Sequence, residues 1–209
     1  MLLCAIATLT ARSGWTHEPF LGPAEIVVRT YDPQHLVGER IIAARHAATA
    51  ILRQSGVSLR WWHCHVADAA QDFEEPCHDA LRPNDVVVRL VRAPFSATRN
   101  ALGFSLIDRD TDRSWLATVF VDRVIATAQR LRLNTEVLLG RAIAHELGHL
   151  LLNSSAHAKS GLMQAVWSDA KLTRHVSSDW IFDGNRSVFV RRNAGGRMLL
   201  AMRSVSEPQ

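Results

Sequence analysis

Two rhythms of apolar residues divide this chain. Ile26-Val27-Val28-Arg29-Thr30-Tyr31 is a short, apolar, β-branched run and predicts a first strand. Asp32-Pro33 follows, a pair suited to a helix N-cap and first helical position. Val37, Ile41, Ala44, Ala48, Ile51 and Leu52 then recur at helical spacing until Gly56 supplies a stop. So one-sided a helix is expected to lie across a sheet. Val57 to His65, Asp85 to Val91, Ala101 to Ile107 and Trp115 to Val121 read as four further strands, with a polar loop from Ala67 to Asn84. Asn134 caps a second long helix, from about Thr135 to Leu152, with Glu136 in the first turn where the helix dipole favours an anion. The order β-α-β-β-β-β-α predicts an α+β fold. Its mixed, twisted sheet has about five strands covered by a long helix, and a short irregular or helical C-terminal part follows the second helix.

Composition narrows the class. A chain of 209 residues, 47% hydrophobic and 21% charged, is globular and supports a single domain, here residues 24–209. No apolar run approaches the ~20 residues of a transmembrane helix. The balance of 24 Lys+Arg against 20 Asp+Glu gives +4, and Arg186, Arg191, Arg192, Arg197 and Arg203 put part of that charge late in the chain. No dense basic stripe with interleaved aromatics accompanies them, so a solvated basic helix is expected and no nucleic-acid partner. Asp108, Asp110 and Asp112 alternate in a charged turn, but no Gly-x₅-Glu continuation completes an EF-hand calcium loop, and a solvated turn is expected.

Met1 to Ala11 is apolar or small and is broken by Arg12-Ser13-Gly14, which fits the apolar part of a secretory leader over residues 1–12. Secretion or a periplasmic location is the matching expectation. Cys64 and Cys77 flank the polar loop and suit a disulfide, which persists in an oxidising compartment. The rival reading is free thiols, or a small metal site built from His63-Cys64-His65 and Cys77-His78.

The chemistry concentrates at His145-Glu146-Leu147-Gly148-His149. A spacing of four places both imidazoles on one helix face, one turn apart, where both reach a single ion. Glu146 is offset by about 100° around the axis, close enough to act as general base on a water at that ion without ligating it. The other helix positions are apolar (Leu138, Leu139, Ile143, Leu147, Leu150, Leu151), and partnerless histidines on such a helix would be costly. A shuffled chain of this composition shows the pattern roughly 2% of the time. Zinc needs a third protein ligand and an open position for water. No glutamate follows Glu146 before Glu207, so a downstream glutamate ligand is excluded. The candidates are His157, His175, Asp169, Asp179 and Asp183. His157 is the choice: it is nearest, and Asn153 suits a left-handed helix C-cap that turns the chain back.

The run His145-Glu146-Leu147-Gly148-His149-Leu150-Leu151-Leu152-Asn153-Ser154-Ser155-Ala156-His157, followed by Ser160-Gly161-Leu162-Met163 and Trp167, resembles a metzincin zinc-peptidase signature with its Met-turn. It is most similar to small uncharacterised bacterial proteins of metzincin type with a displaced third histidine. The resemblance covers most of residues 26–170 and implies a metzincin-like (zincin) fold. It also implies a Zn²⁺ ion on His145, His149 and His157, Glu146 as catalytic base, and a peptide or protein substrate. By the same resemblance Met163 forms a floor beneath the metal, and Leu116 to Val121 is the edge strand that pairs with the substrate; as plain residues, Met163 and Trp167 also suit a core. The chain departs from ordinary metzincins at Leu152 and Ser155, where those proteins place glycine and the third histidine, and its only tyrosine is Tyr31. The alternative function is a weakly active or inactive zinc-bound binding module that keeps the fold.

Overall fold

In a computed structural model, residues 23–64, 77–97, 100–108, 114–174 and 176–206 are described. The apolar N-terminal run, His65, most of the Asp108–Asp112 turn, and His175 lie outside these residues.

The five strands are β1 (Ala24–Tyr31), β2 (Val57–Cys64), β3 (Asp85–Val91), β4 (Gly103–Leu106) and β5 (Leu116–Phe120), in the order β2-β1-β3-β5-β4. All pairs are parallel except β4 with β5, so the sheet is mixed. This corrects the placing of the free edge. Leu116 to Val121 contains the interior strand β5, and β4 is the exposed rim beside it. An interior strand buried on both faces shows as an unbroken apolar run, which Ala117 to Phe120 nearly is.

Two helices cover the sheet, α1 (Arg40–Arg53) and α3 (Thr135–Leu152). Ala44, Ala48 and Leu52 of α1 and Leu139, Ile143 and Leu147 of α3 join Ile26, Val28, Val88, Leu90 and Val119 of the sheet in one core. The helices meet closely at Gly140, where an added Cβ would lie 2.5 Å from Ala44 O and 2.6 Å from Ala47 Cβ. Helix α1 begins later than expected. Asp32 does not cap it; its carboxylate accepts from Leu36 N (2.8 Å) and Val37 N (3.0 Å), closing a loop that passes through positive φ at His35 and Gly38.

A further helix, α2 (Val121–Leu131), was not expected. Val121, Val124 and Ala128 are its buried stripe, at spacings of three and four, and the predicted last strand ran into its first residue. The C-terminal part is more regular than expected. A short α4 (Asp169–Thr173) and a 3₁₀ turn (Ser177–Trp180) lead into α5 (Gly184–Ser206), 23 residues long.

Cys64 and Cys77 form a disulfide, so neither thiol is free for the alternative metal site. The segment after it is held by Arg29, which donates to Asp79 O (2.6 Å) and Ala80 O (3.1 Å) and forms a buried ion pair with Asp85. No helix among the described residues is long and apolar enough to cross a membrane.

Candidate metal and active site

Helix α3 starts where Asn134 Oδ1 accepts from Val137 N (2.7 Å) and stops at Asn153, which takes left-handed φ 46°, ψ 44°. That single backbone reversal directs the following residues back along the helix. Ser154 N donates to His149 O (3.1 Å), and the Ser154 carbonyl accepts from His149 Nδ1 (2.7 Å). The chain continues to His157, then turns at Gly161 (φ 75°) and returns beneath α3. Ala158 N donates to Met163 O (2.7 Å), locking the two arms of this turn together.

This route brings His145, His149 and His157 together, with one ligand atom from each lying within 4.8 Å of the others. His145 Nδ1 donates to Leu162 O (2.8 Å), and His149 Nδ1 has Ser154 O. Those carbonyls accept only, so both Nδ1 atoms carry the proton and both Nε2 atoms present lone pairs. The two Nε2 atoms face each other at 3.1 Å. Two lone pairs held this close in a buried site repel unless a cation lies between them, and carbonyls that accept from Nδ1 in this way are what orient metal-bound histidines. The three-histidine group therefore suits a metal ion. Burial pushes His145 down to about 4 and holds His149 and His157 below the ordinary histidine value, so all three are neutral near pH 7.

Glu146 is buried beside the histidines. Its Oε2 accepts from Ser105 Oγ (2.7 Å), whose hydroxyl also lies 2.9 Å from the Glu146 carbonyl. Burial pushes this carboxyl up to about 7, against the opposing pull of the Ser105 hydrogen bond. Gly103 makes room for it: a Cβ there would meet Thr118 O at 2.5 Å and Glu146 Oε1 at 2.9 Å.

Met163 is fully buried under α3. It packs where Gly148 lacks a side chain, since a Cβ on Gly148 would lie 2.5 Å from Met163 Sδ and 2.7 Å from Phe182 Cε1. Trp167 Nε1 donates to Leu162 O (3.2 Å), the carbonyl that also holds His145, and its ring stands edge-on to the His145 ring. Lys171 is buried and donates to Gly161 O (2.5 Å) and Gln164 Oε1 (3.0 Å), pinning the same turn from below.

Of the other third-ligand candidates, the three aspartates are engaged elsewhere, and His175 lies outside the described residues. Asp169 pairs with Arg130, Asp179 with Arg174, and Asp183 with Arg186. Ser105, Gly103 and Lys171 escaped the sequence reading. Nothing local marks Ser105, because its role comes from β4 lying against α3. An open cavity of about 730 Å³ adjoins the histidines, walled by β4, α2, α3 and the segment from Gln164 to Asp169.

No family model and no curated protein matches this chain. Among solved structures, it is similar to the archaemetzincin AmzA of Methanopyrus kandleri, with a TM-score of 0.55 and 13% identity over 81% of this chain and 96% of that one. At that identity the likeness concerns the fold alone, which is metzincin-like.

Proposed function

We propose that the protein is a zinc-dependent peptidase, with His145, His149 and His157 as ligands and Glu146 as general base. The opposed Nε2 lone pairs of His145 and His149 carry this reading, because neutral nitrogens fixed in that arrangement form a site for a borderline-soft cation such as Zn²⁺. When bound, zinc supplies the positive charge that acidifies the attacking water and polarises the substrate carbonyl.

The chain's own groups do the rest. Glu146 Oε2 is held by Ser105, and a carboxyl titrating near 7 is suited to take the proton of the water and return it to the leaving amine. The free rim of β4 offers backbone groups to an extended peptide, which would add as a further strand. Burial of Glu146, His145 and His149 limits the access of bulk water to the reacting groups, while His157 closes the group from the exposed side. Export to an oxidising compartment belongs to the same proposal and is supported by the Cys64–Cys77 disulfide.

The test is zinc content and peptide hydrolysis of the protein purified without chelator, beside its Glu146→Gln variant. We expect bound zinc in both proteins and turnover reduced by about 10²-fold or more in the variant. Absence of zinc from both would refute the metal site. Bound zinc with no hydrolysis by either protein would favour the binding-module alternative.

A further inference from the structure

Helix α5 carries a surface that the site does not use. Val190, Ala194, Met198 and Ala201 are buried against the body of the protein. On the other side Val188 (66% exposed), Phe189 (52%), Leu199 (47%) and Leu200 (46%) stand in solvent. At 100° per residue these four, with Arg192 and Arg203 among them, occupy an arc of roughly 120° facing away from the core. The 23 residues of the helix contain five arginines and no Asp or Glu. Arg186 is bound to Asp183, and Arg197 turns inward to Ser114 O and Leu150 O. Arg192 and Arg203 are exposed and form no ion pair among the described residues. A solvated basic helix, the sequence expectation, would not expose four large apolar side chains between its charges.

We propose that this face of α5 docks on an anionic lipid surface. The apolar side chains enter the boundary between headgroups and acyl chains, while Arg192 and Arg203 lay their stems along that boundary and meet lipid phosphates with their guanidinium groups. Three observations favour lipid over other occupants. A second copy of the chain would bring like charges together with no acidic residue on the helix to relieve them. Nucleic acid would set Phe189, Leu199 and Leu200 against a charged, hydrated backbone. A bilayer of acidic phospholipids satisfies both chemistries at once, and each arginine near such a surface adds attraction. The inference is independent of the peptidase reading.

The test uses the full chain, cosedimented with vesicles of phosphatidylcholine alone or with added phosphatidylglycerol. Binding is expected only to the mixed vesicles and is expected to fall as salt rises. Leu199→Gln with Leu200→Gln should weaken it by about tenfold or more, and Arg192→Gln or Arg203→Gln by about fivefold each. Circular dichroism of each variant should match the parent, since these side chains point away from the core. No binding to mixed vesicles, or equal binding to neutral ones, would overturn the proposal. So would a self-association, seen by light scattering, that the paired leucine variant abolishes while lipid binding is absent.

Discussion

The buried carboxyl of Glu146 makes a measurable demand on the metal-free protein. Its pKa is pushed up to about 7 in the folded state, mainly by burial, against an ordinary value of 4.5. A raised folded pKa means that the folded chain holds the proton more tightly than the unfolded chain does. The associated stability is fully present below about pH 4.5 and is lost as pH rises through 7. The difference between those two values corresponds to about 3 kcal/mol over that window. His145 acts in the opposite sense: its folded pKa is depressed to about 4, so its stability is present above pH 6.5 and lost as pH falls toward 4, again about 3 kcal/mol. The two nearly cancel between pH 4.5 and 7, where the depressed pKa values of His149 and His157 add stability as pH rises. Glu146→Gln removes one side of the balance. With chelator present, urea unfolding should show the variant gaining about 2–3 kcal/mol more than the parent between pH 4.5 and pH 7. Parallel profiles for the two proteins would refute the claim that Glu146 is a desolvated acid in the folded chain.

Asn153→Ala should destabilise the protein by about 2–4 kcal/mol, from the left-handed backbone that alanine resists and from the lost acceptor for buried Ser114; Asn153→Gly should cost about 1 kcal/mol less, and urea midpoints of the two decide it. Gly103→Ala should lower peptide turnover while zinc is retained, because its Cβ would press on Glu146 Oε1 and Thr118 O; unchanged turnover would mean that β4 does not fix the base. Gly148→Ala gains about 1 kcal/mol of helix propensity but collides with Met163 Sδ and the Phe182 ring, so a net loss of about 1–2 kcal/mol should appear as a lower melting temperature. His157→Ala should release zinc to a competing chelator at least about tenfold more readily than the parent, and equal retention would remove His157 from the ligand set.

The legible parts of this chain were those whose physics is local. The first strand, the apolar stripe of α1, the capped α3 and the two histidines one turn apart depend on residues a few positions apart, and periodicity exposes them. Strand order is a different matter. Leu116 to Phe120 looks equally apolar as an edge or an interior strand, and only the crossover that sets β4 outside it decides which rim is free. Helix α2 was hidden because its first residue, Val121, completes an apolar run that reads as strand, while its later stripe is only Val124 and Ala128. Asp32 reads as a helix cap because an Asp-Pro pair closes a turn through the same carboxylate that would cap a helix. Ser105 had no signal at all, since its partner is 41 residues away.

The placing of His157 beside His145 and His149 has a physical account in how the three are held. The groups that fix the tautomers of His145 and His149 are the carbonyls of Leu162 and Ser154, and the turn between them is tied through Gly161 O and Met163 O. Backbone carbonyls are present whatever the side chain. The constraint on sequence therefore falls on the residues that aim the backbone, chiefly Asn153 and Gly161 at positive φ, and on Gly148 and Gly103, where neighbours come too close for a Cβ. In this chain the helix runs to Asn153 before turning and still brings the His157 imidazole to those of His145 and His149, because the turn is left-handed and the returning arm is clamped. Asn153 provides the first condition, and Lys171 with the Ala158–Met163 hydrogen bond provides the second. Such a site leaves the side chains of its connecting segments largely free to vary, because backbone groups do most of the holding.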